Sequence, residues 1–445
     1  MTIIFFCYNL KNENGSHELH CFLTPSGIIM FTSMLAFLIG NDFILLAISV
    51  LVFEVPRYTL SLIIISLTGL TKWHPSPTRP RFTITAIIPC FNDAKDVTDT
   101  INSLAKLRHE GIVEIIVLND GSTDNLLQIV QPLRAEGKID KIINHPRRQG
   151  RSAGINHGAR FAKGELILAI DSDSFVRQTS IIRMQDYFIN TKVSGITGTI
   201  LVRNYRESLI TALQALEYLI SITAGKTLLD VIGSVGCLSG AFSMYRKSYF
   251  LDLGGMDPGG GEDLELTLRM RKAGYDVRFE PLAISETRVP ADFKALVKQR
   301  IRWDGDAYWL RVIQYRETNL FQSGEKLTDT FRRLDFILFE LINTLIFPIY
   351  LIYISLVFDQ DTLSFIAGLY LLTLFLYLAN IAIAIVFVPT SLGLIEGLAV
   401  FIFPLYQGII MKFIRLYAFS AEILWKDSKN NDYTPLHVRT ALHQL

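Results

Sequence analysis

Thr83–Asp93 (TITAIIPCFND), Val113–Asp120 (VEIIVLND) and Glu165–Asp173 (ELILAIDSD) are three apolar, strand-like runs, each ending in a carboxylate. In an open parallel α/β sheet, side chains that contact ligands sit just beyond the carboxyl ends of the strands. Asp93, Asp120, Asp171 and Asp173 are therefore expected along one edge. Asp96–Arg108, Asp124–Arg134 and Ser152–Lys163 read as helices between the strands, and such short connections imply a parallel, doubly wound sheet. Two polar stations follow, Glu262 with Asp263, then Gln299, Arg302 and Trp303. The last three fall at i, i+3 and i+4, on one face of a helix expected over Ala291–Arg311.

Composition divides the chain. With 50% hydrophobic and 19% charged residues over 445 positions, it is richer in apolar residues than an ordinary soluble protein. The formal charge of +1 gives no electrostatic case for nucleic acid. Cys7, Cys21, Cys90 and Cys237 are scattered without zinc-like or redox-like spacing and read as reduced, packed thiols. No internal repeat or low-complexity segment is evident.

The apolar excess lies at the ends. Ile28–Phe53 can cross a hydrocarbon core of roughly 30 Å as one tilted helix and has no cleavage-like site after it. Tyr58–Leu70 reads as interfacial or as part of a second span. Phe336–Phe358, Thr362–Val388 and Leu392–Met411 are three more runs of spanning length. Lys72, Arg79 and Arg81 after the first run, and Arg332 and Arg333 before the later ones, place the middle of the chain in the cytoplasm. Three true spans would leave the tail outside, yet Lys412, Arg415, Lys426, Lys429 and Arg439 favour the inside; a re-entrant run around Glu396 is one way out. The expected organisation is a tail (1–27), membrane or interfacial segments (28–71), a cytoplasmic domain (82–313), a connector (314–335), about three spans (336–411) and a tail with an interfacial helix (412–445). No regulatory domain is expected after the last span, since only a short tail remains beyond Trp425.

Taken together, IIPCFND, VLNDGSTD, DSDS at 171–174, GGGED ending at Asp263 and QRIRW ending at Trp303 resemble the processive, membrane-integrated family-2 glycosyltransferases, the group of cellulose, hyaluronan and poly-N-acetylglucosamine synthases. The resemblance covers residues 84 to 306 and is specific as an ordered set, while any single motif is weak. It implies a GT-A-like, doubly wound mixed sheet in a cytoplasmic domain flanked by transmembrane helices.

The resemblance also implies roles. Asp93 and Asp120 would hold uridine, although both, like Ser122, could be turn or cap residues after strands; Asp124 is expected as such a cap. Gly150, Arg151 and Asn156 stand where relatives carry Gly-Lys and an asparagine, so Arg151 would meet diphosphate or base as a forked donor, or else begin a solvated basic helix. Asp173 would ligate Mg²⁺ or Mn²⁺, with Asp171 on ribose or reaching the metal through water. Cys237–Gly240 resembles a small-residue acceptor loop, and packing explains Cys237 equally well. Asp263 would be the general base beside Glu262, with Gly261 where the family usually has threonine. Arg302 would meet the diphosphate, Trp303 the acceptor sugar and Gln299 a hydroxyl beside it, unless the helix simply anchors at the membrane interface. Asp304 and Asp306 make this stretch more acidic than the resemblance leads one to expect.

The expected function is inverting, UDP-sugar-dependent transfer of a hexose or N-acetylhexosamine to a growing β-glycan at the plasma membrane. The expected partners are the UDP-sugar donor, a glycan acceptor, membrane lipids and accessory subunits for export, with no nucleic acid. Single glycosylation of a lipid acceptor is the alternative. A receptor or transporter that kept a nucleotide-binding domain fits less well, since mere binding would not require Asp263.

Overall fold

A computed structural model describes residues 7–11, 17–21, 50, 52, 55–69, 79–315, 327–357, 360–388, 393–425 and 434–442. Strands β1 (Cys7–Lys11) and β2 (His17–Cys21) form a small antiparallel pair. The expected span at Ile28–Phe53 lies outside the described residues apart from positions 50 and 52. Tyr58–Leu70 falls largely in helix α1 (Val55–Gly69).

The middle of the chain is an eight-stranded mixed sheet. Its strands are β3 (Ile84–Cys90), β4 (Ile112–Asn119), β5 (Lys141–Asn144), β6 (Leu166–Ile170), β7 (Phe175–Val176), β8 (Val193–Val202), β9 (Phe242–Arg246) and β10 (Asp276–Thr287). They lie in the order β5-β4-β3-β6-β9-β8-β10-β7. β5, β4, β3 and β6 run parallel, and β9 is antiparallel to both of its neighbours. The three strands expected from sequence are thus adjacent, which brings their carboxylate ends together.

The alternation along β3 explains the double winding. Ile84, Ala86 and Ile88 enter one buried cluster, and Ile87 enters another with Ile155 and Ala159. Successive side chains point to opposite faces, so a strand buried at every position needs cover on both. Helices α2 (Val97–Lys106), α3 (Leu126–Ala135) and α4 (Arg151–Phe161) supply it, all within two residues of their expected bounds. Asp124 accepts from Leu126 N at 3.2 Å as expected, and its other oxygen accepts from Ala94 N at 3.0 Å, tying the first two loops together.

Helices α5 (Leu209–Tyr218), α6 (Glu262–Lys272) and α7 (Phe293–Tyr308) complete the domain. Beyond it, α8 (Thr328–Leu356), α9 (Leu363–Ile385) and α10 (Ile395–Trp425) are each long and apolar enough to cross a membrane. α8 leaves the domain, since Ser234 Oγ donates to Thr328 O at 2.6 Å, and α9 returns to it, Val388 packing with Leu201 and Leu219.

The third helix departs from expectation. It runs to Trp425 instead of stopping at Met411, because the charges that should end an apolar span have internal partners. Lys412 Nζ lies 3.2 Å from Asn343 Oδ1, and Arg415 Nε 3.3 Å from Asp304 Oδ1. Both halves of α10 touch the sheet domain. Arg206 Nε is 3.7 Å from where a Cβ on Gly393 would stand, Tyr406 bonds Glu217, and Glu422 Oε2 is 3.9 Å from the same position on Gly305. α10 therefore lies along α5 and α7 while α8 and α9 lead away and back. Pro435 Cδ in turn lies 3.4 Å from the Cβ position of Gly150, so Pro435 sits against the domain.

Candidate active site

At the end of β3, Asp93 Oδ2 accepts from Phe91 N at 3.1 Å and from Ser172 Oγ at 2.7 Å. Burial pushes its carboxyl up, with Asp171 and Asp124 adding to the effect. Asp120 has a different environment. Its Oδ1 takes bonds from Gln149 N and His145 Nδ1, both at 2.8 Å, and its Oδ2 one from Gly150 N at 2.7 Å. Buried and committed to three donors, Asp120 holds the 145–150 loop in place. Gly121 beneath it is obligatory: its φ is 74°, and a Cβ would lie 2.7 Å from Arg148 N. His145 continues to His157, Nε2 to Nδ1 at 3.0 Å. The sequence reading missed this histidine pair; a His twelve residues from another carries no periodic signal.

Arg151, at the start of α4, links the stations. Its Nε donates to Asp171 Oδ1 at 2.9 Å, its Nη1 to Glu262 Oε1 at 3.2 Å, and its Nη2 to Gly240 O. It is therefore no solvated helix start, with its side chain 11% exposed. Asp173 Oδ1 accepts from Thr287 Oγ1 at 3.0 Å. Burial, with Asp171 beside it, pushes the Asp173 carboxyl up to about 7. Two neighbouring carboxylates, of which Asp171 is partly compensated by Arg151, are the oxygen donors a divalent cation completed by phosphate oxygens and water could use. No cluster of three or more His, Cys, Asp or Glu poised for a metal occurs among the described residues.

Asp263 lies across from this pair. Its Oδ2 accepts from Gly240 N at 2.8 Å and its Oδ1 from Leu264 N at 2.7 Å, so the acceptor-like loop and the first turn of α6 orient it. Gly240 is needed here, because a Cβ would stand 3.2 Å from Asp263 Oδ2 and 3.5 Å from Arg151 Cζ. Neighbouring Glu262 is buried; desolvation raises its carboxyl despite Arg151, and Asp263 raises it further. Lys226 is a second residue missed from sequence. Its Nζ meets Ser239 Oγ at 2.5 Å, and burial lowers its ammonium although Asp263 acts the other way. Burial pushes the Cys237 thiol up to about 12 and the Cys90 thiol well above its usual value, so both are inert packed thiols.

On α7, Trp303 is 37% exposed with the Arg300 guanidinium 4.5 Å from its ring centroid. Gln299 Oε1 is buried without a partner. Arg302 faces Glu262 and Asp306. Asp306 fills the space beside the loop before α6, its Oδ1 2.4 Å from the Cβ position of Gly260. Asp93, Asp171, Asp173, Arg151, Glu262, Asp263 and Arg302 are thus brought near one another beyond the strand ends, whereas Asp120 holds its own loop and Trp303 packs on Arg300.

A mixed sheet of this order, with carboxylates at its strand ends and helices on both faces, is a GT-A-like fold. Residues 85–254 match the family model Glycosyl transferase family 2. The chain is 29% identical over 222 residues to a poly-beta-1,6-N-acetyl-D-glucosamine synthase of Staphylococcus aureus, and 28% identical over 222 residues to that of Staphylococcus epidermidis. Each alignment covers 49% of this chain and 53% of the relative, so the chain spans about half the length of the curated relatives it matches. A solved mannosyltransferase of Pyrobaculum calidifontis, in complex with GDP-Man and Mn²⁺, shares the fold with a TM-score of 0.58 at 15% identity, covering 86% of this chain and 99% of that one. Three helices after this domain are long and apolar enough, by length and composition, to cross a membrane.

Proposed function

We propose that the protein transfers a hexose or N-acetylhexosamine from a UDP-sugar, with inversion, to a growing β-glycan. The observation that carries this is the Asp263 carboxylate, held by Gly240 N and Leu264 N across Arg151 from Asp171. An acceptor hydroxyl attacks C1 as the C1–oxygen bond to the diphosphate breaks, and its proton passes to Asp263. Attack opposite the leaving group turns an α-linked donor into a β-linked product. Asp173 and Asp171 would hold Mg²⁺ or Mn²⁺, which supplies positive charge for the departing diphosphate. Arg302 adds a forked donor there, Arg151 ties donor side to base side, and Trp303 offers the acceptor sugar an aromatic face. The similarity to the staphylococcal synthases supports a β-glycan product.

The experiment is incubation of detergent-purified protein with a panel of UDP-sugars and GDP-mannose, with and without EDTA, reading nucleotide release and product mass. A polymer from one UDP-sugar, lost on chelation, is expected. Asp263→Asn should lose about 10²- to 10⁴-fold in turnover while retaining UDP binding. A product bearing one sugar on a lipid, or near-normal turnover in the variant, overturns the reading.

A further inference from the structure

Outside this site, three arginines converge where α8 leaves the domain. Arg271 is committed: its Nε pairs with Asp329 Oδ1 at 2.6 Å and its Nη2 donates to Gly233 O at 2.9 Å. Arg311 and Arg332 close around the backbone of Gly236. A Cβ there would lie 3.4 Å from Arg332 Cδ and 3.6 Å from Arg311 Nη2. Asp329 stands 3.7 Å from Arg332 Nη2, but it is already the counter-charge of Arg271. No carboxylate among the described residues pairs with Arg311, whose guanidinium lies 4.7 Å from the Phe336 ring centroid. The Nε atoms of Arg311 and Arg332 are both buried without a hydrogen-bond partner among the described residues. The Arg332 side chain is only 11% exposed.

Two forked donors held close together, under-compensated and partly desolvated, are the arrangement that selects a phosphate group, whose oxygens accept pairwise from guanidinium. We propose that Arg311 and Arg332, braced by Arg271 and Asp329, bind a phosphate group, free or carried by a lipid. The place suits either source: it lies at the first turns of α8, a helix long and apolar enough to cross a membrane, and adjoins Cys237 at the head of the acceptor-like loop. Gly236 lies between the Arg332 stem and the Arg311 guanidinium, each within van der Waals reach of its Cβ position. Occupancy would steady the 233–240 segment that presents Gly240 N to Asp263. The inference does not depend on which sugar or acceptor the transferase uses.

The test is the melting midpoint of the full-length protein in detergent. Inorganic phosphate is compared with chloride at matched ionic strength, and short-chain phosphatidic acid with the corresponding diacylglycerol. Each arm is run with and without saturating UDP, which occupies the diphosphate position of the donor site. A rise in midpoint that persists under UDP is expected, with affinity reduced about tenfold or more in Arg311→Gln and in the Arg311→Gln, Arg332→Gln double variant, and partly kept in Arg311→Lys. A response to phosphate itself supports a free anion, and a response to phosphatidic acid alone supports a lipid headgroup. No rise in either arm, a rise abolished by UDP, or one that survives in the double variant overturns the proposal. Should the double variant not fold, Arg311→Gln decides, since it breaks no ion pair among the described residues.

Discussion

Asp306 shows how much one buried carboxyl can dictate. It is 3% exposed, its Oδ2 has no hydrogen-bond partner, and burial holds its carboxyl well above the usual range; Arg302 opposes this, while Glu262 and Asp263 add to it. A carboxyl raised in the folded state binds more protons folded than unfolded. Stability therefore falls as pH climbs from its ordinary value, about 3.9, through the raised folded value. Asp306→Asn stays neutral throughout and should lose that slope, melting higher than wild type at the alkaline end of a series from about pH 5 to 8. A variant whose midpoint tracks wild type across the series would show that Asp306 titrates normally. The same residue bears on catalysis by geometry alone, because it packs against the glycines that lead into Glu262 and Asp263.

At the scale of elements, α5, α7 and α10 are joined by a buried ionic chain. Arg300 Nη2 meets Glu217 Oε2 at 2.9 Å, Tyr406 Oη donates to the same oxygen at 2.9 Å, and Arg300 stacks on Trp303. The pair is 9% and 15% exposed, so removing one partner strands a charge in low dielectric. Glu217→Gln should cost about 3–5 kcal/mol of stability. Breaking the exposed Arg288–Glu207 pair should cost no more than about 1 kcal/mol. Chemical or thermal unfolding of the two variants checks the contrast, and equal losses would refute it. Because Arg300 also carries Trp303, Glu217→Gln should shorten products as well, linking α10 to the acceptor face.

At the scale of the whole molecule, the packing of α10 bears on the conflict between three spanning-length runs and a basic tail. α8 and α9 make one excursion from the domain, α10 lies against α5 and α7, and Pro435 comes back to Gly150. A cysteine introduced at Lys138, and one at Thr440, should both resist an impermeant thiol reagent in intact cells and react after lysis. One at Gln360, between α8 and α9, should react before lysis. Labelling of Thr440→Cys from outside would place α10 across the membrane.

The local sequence determined the strands that end at Asp93, Asp120 and Asp173, the helices between them, and the pairing of Gln299, Arg302 and Trp303 on one face. Period and run length act over a few residues and need no tertiary partner to be read. The carboxylate stations were legible for the same reason, since a strand end is a sequence-local landmark. Contacts between distant positions were decided only by the folded chain. Arg151 bridging Asp171 to Glu262, Asp120 anchoring the 145–150 loop, and the His145–His157 pair all depend on which strands become neighbours. The same holds for α10. Its hydropathy says that it could cross a bilayer, but Lys412, Arg415 and Tyr406 find partners on Asn343, Asp304 and Glu217. A polar group's cost in an apolar setting depends on whether a partner is present, and only the tertiary structure supplies that partner.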